Sequence, residues 1–133
     1  MNIKKIHHYN VRVYAEDVDF MSIVYHANYL RYFERARTEL LRESNLILSD
    51  LMKLDISFAI NEITINYLSP AKLDDLLTVS TQISEISACS FVFKQSIQNE
   101  QKKLISEASI KVVCVNGLLK PKRLPDVFLK SNE

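Results

Sequence analysis

Asp19 and His26 stand close together in the chain, the acid ending Asp17-Val18-Asp19 and the histidine just ahead of a long helical pattern. A carboxylate can take a proton from water or attack a carbonyl carbon itself, and a neutral imidazole can orient water or assist a departing group. The start of a helix adds a third component. Its first N–H groups lack intrahelical acceptors and, with the macrodipole, favour negative charge on an oxygen. Together these suit addition to a carbonyl carbon, which needs a base or nucleophile at that carbon and donors for the charge that grows on its oxygen. Plainer roles exist for both residues. Loop aspartates commonly satisfy backbone amides, a role open to Asp17 and Asp19 alike, and His26 can simply bond a neighbouring loop at the helix start. Tyr25, Tyr29 and Tyr32 read as packing and interface residues, because a reference pKa of about 10 ill suits proton uptake at neutral pH.

The elements that must position these residues follow from hydrophobic period. Tyr9, Val11 and Val13 alternate with Asn10, Arg12 and Tyr14, which predicts a half-buried first strand. From Asn28 to about Asn45 the pattern changes: Tyr29, Phe33, Ala36, Leu40 and flanking residues recur at three- and four-residue steps, with Glu34, Arg35, Glu39, Arg42 and Glu43 opposite. This predicts the longest helix, with Asn28 as its N-cap or a start one turn earlier at Tyr25 or His26. Period two returns in Ala59 to Tyr67, ending at Ser69-Pro70, then in Leu77 to Ile83, Phe91 to Ile97 and Leu104 to Cys114. Turns are expected from Ser84 to Ala88 and at Asn99-Glu100-Gln101-Lys102. The order is strand, long helix, then four consecutive antiparallel strands. The helix is the one element large enough to cover the sheet, so the fold class is α+β, a five-stranded antiparallel sheet wrapped around one long central helix. Edges and part of an apolar face stay uncovered, which predicts a homodimer that extends the sheet or packs helix beside helix; the expected homo-oligomer is a tetramer, a dimer of such dimers.

Composition narrows the field. The 133 residues fit a single domain spanning 1–133, with no room for a separate cofactor module. Hydrophobic residues make up 47% and charged residues 25%, an ordinary globular balance. The net charge of +1 gives no broad reason to bind nucleic acid. The N-terminus lacks a signal peptide's apolar core and no run reaches the roughly 20 residues of a membrane span, so a cytoplasmic protein is expected. Cys89 and Cys114 are widely separated, without CxxC spacing, and Cys114 reads as a buried small hydrophobe. His7 and His8 point to opposite faces of a strand and are expected at the surface. Gly117 is the single glycine, which closes phosphate-loop and dinucleotide-fingerprint readings. No metal ligand set or cofactor is implied.

The stretch Val11 to Arg42, "VRVYAEDVDFMSIVYHANYLRYFERARTELLR", resembles the signature of hotdog-fold acyl-CoA thioesterases, in particular the YbgC-like, Tol-Pal-associated branch related to 4-hydroxybenzoyl-CoA thioesterase. "NYLSPAKLDDLLTV" (Asn66 to Val79) and "EASIKVVCVNGLLKPKRLP" (Glu107 to Pro125) resemble that branch in the same order. The resemblance implies a hotdog fold and hydrolysis of an acyl-CoA or acyl-carrier-protein thioester. Asp19 aligns with the carboxylate that acts as nucleophile or general base, the backbone N–H at His26 with the group that polarises the carbonyl, and the His26 side chain with a histidine implicated in activity. The chain also departs from the pattern. Ala15 replaces a tyrosine linked to activity, Val18 a threonine, and Met21-Ser22 stand where glycine is usual. Glycine's loss alters a backbone conformation or close approach, and Phe20 and Met21 are placed to grease an acyl pocket. Basic residues available for an anionic substrate are Lys72, Lys94, Lys102, Lys103, Lys120, Lys122 and Arg123. Two rivals remain, a non-catalytic acyl-CoA or acyl-carrier-protein binding module and, less well matched by the Asp-loop, a hotdog hydratase.

Overall fold

The computed structural model describes residues 2–129. β1 (His7–Arg12) leads through a 3-10 turn (Ala15–Asp17) to α1 (Asn28–Glu43) and a short α2 (Leu48–Lys53). β2 (Ser57–Tyr67), β3 (Leu76–Ser84), β4 (Ser90–Gln98) and β5 (Leu104–Val115) follow, and α3 (Asp126–Leu129) closes the described chain. The five expected strands and the long helix are all present. β1 is displaced toward the N-terminus, because Val13 leaves the sheet to exchange bonds with the β2–β3 connection, its N–H going to Asp75 and its carbonyl accepting from Asp74.

The strands form one antiparallel sheet in the order β1-β3-β4-β5-β2. Chain order and spatial order therefore part at β2, which pairs with β5 at the far edge while β3 crosses back to β1. α1 packs on one face of the sheet. Tyr29, Tyr32, Phe33, Ala36, Arg37, Leu40 and Leu41 are buried, and Glu34, Arg35, Arg42 and Glu43 face out, so the three-and-four spacing does set the buried stripe. It meets Leu77, Val79, Phe91, Phe93, Ile97, Ile110 and Val112 of the sheet. Removing a ring such as Phe33, fully buried, costs about 3–5 kcal/mol in comparable cores.

One polar cluster ties helix to sheet. Gln95 donates to the Phe33 carbonyl at 3.0 Å and to Thr81 Oγ1 at 2.9 Å, and its own oxygen accepts from Arg37 Nη1 at 3.1 Å. The Arg37 guanidinium also lies over the Phe93 ring, 5.8 Å from its centroid, and burial lowers its pKa. With its hydrogen bonds satisfied, Gln95 belongs on an otherwise apolar strand face.

Two expectations are corrected and one element is new. Asn28 is not the N-cap, a place taken by Ala27 in helical conformation without a side-chain cap; its amide reaches back to the Asp17 carbonyl at 2.8 Å instead. α2 was not visible in the period, being only six residues and preceded by Ile47 where a capping side chain is usual. His7 is not at the surface: its ring faces the end of α1, with Nε2 3.2 Å from Glu43, while His8 is exposed and bonds Ser80. Cys114 is buried, which raises its pKa, as a small hydrophobe should be.

Candidate active site

Residues 13 to 27 are held by main-chain bonds, with Val13 and Val24 anchored in the core. Tyr14 N–H bonds Asp17 Oδ2 at 2.9 Å while Asp17 N–H bonds the Tyr14 carbonyl, which closes the 3-10 turn. The chain then makes a tight hairpin. Val18 bridges Val24, Asp19 N–H bonds the Ile23 carbonyl at 2.9 Å, and Ser22 N–H returns to the Asp19 carbonyl at 3.0 Å. Tyr25 N–H reaches the Asp17 carbonyl at 2.9 Å, so the returning arm ends directly at the helix.

The segment after β2 clamps this hairpin from the other side. Val24 N–H bonds the Ala71 carbonyl at 2.8 Å, Ile23 bridges Lys72, Leu73 N–H bonds the Ser22 carbonyl, and Ala71 N–H donates to the Tyr29 hydroxyl oxygen at 3.1 Å. That contact is the physical reason for "SPAKLDD" to accompany the Asp-loop: the two stretches are one structure.

Asp19 is half-buried at the hairpin turn, where its Oδ1 accepts Met21 N–H at 2.8 Å. The plain role of satisfying a loop amide is thus one it does fill, with one carboxylate oxygen to spare. Asp17 is engaged by Tyr14. Ser22 has φ 62, the left-handed region that favours glycine, so a serine there strains the turn. Phe20 is 97% exposed and Met21 is exposed as well, so within the chain neither greases a pocket. Ala15 is exposed in the 3-10 turn and offers no hydroxyl.

At the helix mouth Asn28 N–H bonds the Tyr25 carbonyl and Leu30 N–H the Ala27 carbonyl. Among the described residues the N–H groups of His26 and Ala27 have no acceptor. The His26 side chain is exposed, its ring packed on Tyr25 at 4.5 Å and edge-on to Tyr67 at 6.2 Å. Beside it lies a groove of about 280 Å³ lined by His26, Tyr29, Tyr67, Leu68, Ser69 and Pro70 among others. Burial raises the pKa of Tyr29, against the pull of the Ala71 N–H. The Tyr32 hydroxyl is buried with no partner in ordinary hydrogen-bond geometry; burial, with Asp17 close by, raises its pKa further still. Neither phenol is suited to proton uptake at neutral pH. A more apolar groove of about 230 Å³ runs between α1, α2 and β2, lined by residues such as Leu41, Met52 and Phe58; it includes neither Asp19 nor His26. The structure thus brings the hairpin carrying Asp19 to the mouth carrying His26, joined through backbone, with no hydrogen bond between the two side chains.

Residues 13–131 match the family model described as the thioesterase-like superfamily. The chain belongs to the thioesterase-like superfamily. The acyl-CoA thioester hydrolase YbgC of Escherichia coli O6:H1 is 44% identical over 116 residues, 86% of this chain and 87% of that protein. The acyl-CoA thioesterase YbgC of Haemophilus influenzae is 43% identical over 117 residues, 86% of this chain and 85% of that one. Among solved structures, a probable thioesterase from Bartonella henselae superposes with a TM-score of 0.85 at 34% identity, covering 91% of this chain and all of that one. The fold is the hotdog fold expected from the sequence.

What sequence reasoning missed in this family member is the support around the site. Ala71 and Tyr67 act through contacts 42 and 41 residues away in the chain. The one available signal was that "NYLSPAKLDD" joined the resemblance. Of the basic residues expected near the substrate, Lys94 pairs with Glu85 and Lys122 bonds the carbonyls of Leu54 and Asp55, whereas Lys72 adjoins the hairpin. Among the described residues no group of three or more His, Cys, Asp or Glu is placed to hold a metal ion, and no helix is long and apolar enough to cross a membrane.

Proposed function

We propose that the protein hydrolyses acyl-CoA thioesters to a free carboxylic acid and CoA, with Asp19 as nucleophile or general base and the helix mouth at His26 as the oxyanion site. The class, thioester hydrolase, is that of the relatives it matches over most of its length. The observation that carries the assignment is the pair of unpartnered N–H groups, His26 and Ala27, at the end of a hairpin that holds a half-buried carboxylate. In the step, water or the carboxylate adds to the carbonyl carbon. The oxygen's new negative charge is met by the free N–H groups, and the carbon–sulfur bond breaks as the charge returns. The thiolate leaves and takes up the proton lost by the attacking water; where Asp19 itself adds, a water then hydrolyses the Asp19–acyl anhydride, releasing the acid and restoring the carboxylate. His26, exposed at the mouth, is placed to orient water or assist the thiolate. Lys72, whose backbone adjoins the hairpin, is one candidate for CoA's phosphates, and an acyl-carrier-protein thioester is chemically equivalent at the carbonyl.

The reading includes a cytoplasmic setting and a homo-oligomer. β2 is an 11-residue edge strand with Ile60, Ile63 and Tyr67 exposed, a template for a second copy. Light scattering should give the mass of a tetramer, a dimer of dimers; a monomer at micromolar concentration contradicts it.

A panel of acyl-CoAs assayed for thiol release, wild type beside Asp19→Ala and His26→Ala, tests the chemistry. Asp19→Ala should lose about 10³-fold or more with folding intact by circular dichroism. Binding without turnover, indifferent to Asp19→Asn, is the result for a binding module. A mass change of one water on intact thioester is the result for a hydratase.

A further inference from the structure

We propose that Tyr67 is a positioning residue for the oxyanion site: its hydroxyl holds the His26 carbonyl and so aims the Ala27 N–H of the helix mouth. The inference rests on reading that mouth as the oxyanion site.

Tyr67 ends β2 at the sheet edge, and its hydroxyl donates to the His26 carbonyl oxygen at 3.2 Å. In a regular helix that oxygen would accept the N–H four residues on, from Leu30. Here Leu30 N–H goes to the Ala27 carbonyl, and the described backbone supplies the His26 oxygen with no N–H donor. The tyrosine substitutes for the helical donor at the carbonyl where the Tyr25–Asn28 turn passes into α1. That carbonyl and the Ala27 N–H belong to one planar peptide unit. A bond that fixes the oxygen therefore fixes the direction of the N–H, and by polarising the amide it strengthens the donor. A helix that instead drew the His26 carbonyl into its own ladder would turn this peptide and re-aim the free N–H.

Packing sets the tyrosine in turn. Its ring is edge-on to the His26 ring, at an interplanar angle of 87°, and 5.6 Å from the ring of Tyr29, whose hydroxyl is held by Ala71. The side chain is 48% exposed, so the core does not need its hydroxyl, and phenylalanine fits the same place. The hydroxyl's one described partner is the mouth itself.

The test compares Tyr67→Phe, Tyr67→Leu and Asp19→Asn with wild type, measuring kcat and KM for thiol release from a butyryl-CoA and palmitoyl-CoA pair across pH, with thermal midpoints. Tyr67→Phe should lower kcat about tenfold, less than the 10²- to 10³-fold that loss of an oxyanion donor itself costs. KM, the pH limbs and the midpoint should stay at wild-type values, because the hydroxyl neither binds substrate nor transfers a proton. Wild-type kcat in Tyr67→Phe with a loss confined to Tyr67→Leu assigns the residue to ring packing and overturns the proposal. A loss appearing in KM alone makes it a substrate contact and overturns it too. Asp19→Asn keeps the failures apart: an inactive Asp19→Asn beside an unimpaired Tyr67→Phe rejects this inference alone, whereas an active Asp19→Asn rejects the reading of the whole site.

Discussion

The two ends of α1 are built to opposite rules. At the C-terminal end Ser44 N–H bonds the Leu40 and Leu41 carbonyls, Asn45 N–H the Arg42 carbonyl and Leu46 N–H the Leu41 carbonyl, with Asn45 at φ 63. This is a Schellman-type stop, in which carbonyls left over by the helix find donors and a left-handed residue turns the chain away. Leu46 is buried against the core just beyond it. At the N-terminal end there is no capping side chain, Ala27 stands where a serine or aspartate would serve, and the His26 and Ala27 N–H groups go unmatched among the described residues. Helix ends are normally satisfied because an unpaired polar group costs stability. The chain thus closes one end of its main helix with its own donors and leaves N–H groups at the other end, beside a groove, free to meet water or the oxyanion proposed above.

Between the two helix ends, the largest expected effect follows from removing one of those donors without disturbing the fold. His26 is the first central residue of the Tyr25–Asn28 turn, a position where proline is common, and Tyr25 ahead of it continues the extended arm of the hairpin. His26→Pro deletes the N–H together with the imidazole, and His26→Ala deletes the imidazole alone. If the open end is the oxyanion site, the alanine variant should lose about tenfold in kcat and the proline variant about 10²- to 10³-fold, at similar midpoints of thermal unfolding. Equal losses in the two variants mean that the backbone donor does nothing for the reaction, and the contrast between the helix ends is then one of stability only.

How far each end was legible in the sequence differs for a physical reason. The body of α1 and the strands announce themselves by period, because burying one face forces apolar residues to recur at the spacing of the element. Asp19 and His26 stand out as candidates by type and by the odd company they keep ahead of a helix. The Asn28 error came from the same habit: an asparagine at a helix start reads as a cap, and only the fold shows its amide spent on the Asp17 carbonyl. The crossing of β2 to the far edge carries no local signal, since period two says which face is buried and nothing about neighbours. Tyr67 was hidden for that reason, read as a strand residue because its partner lies across that crossing. His7 was misread because alternation along β1 fixes opposite faces for His7 and His8 without saying which one α1 covers.

Both ends also use a left-handed residue, Ser22 at φ 62 in the hairpin and Asn45 at φ 63 after the helix, and these two offer the finest test of the comparison. Asparagine enters this region readily, because its short polar side chain can bond locally, whereas serine meets the ordinary steric penalty of about 1–2 kcal/mol. Glycine removes that penalty but makes the unfolded chain freer, which offsets part of the gain. Asn45→Gly should therefore shift stability by no more than a few tenths of a kcal/mol, and Ser22→Gly should add about 0.5–1 kcal/mol, roughly 2–5 °C in the thermal midpoint for a chain of this size. Differential scanning calorimetry on the two variants decides the matter. A Ser22→Gly that gains nothing shows that the turn carries no strain, and Met21-Ser22 is then a neutral replacement for glycine. A gain accompanied by a fall in kcat shows more: the strain holds the Asp19 turn in its working shape against the pull of an easier backbone, as stored strain at functional sites does.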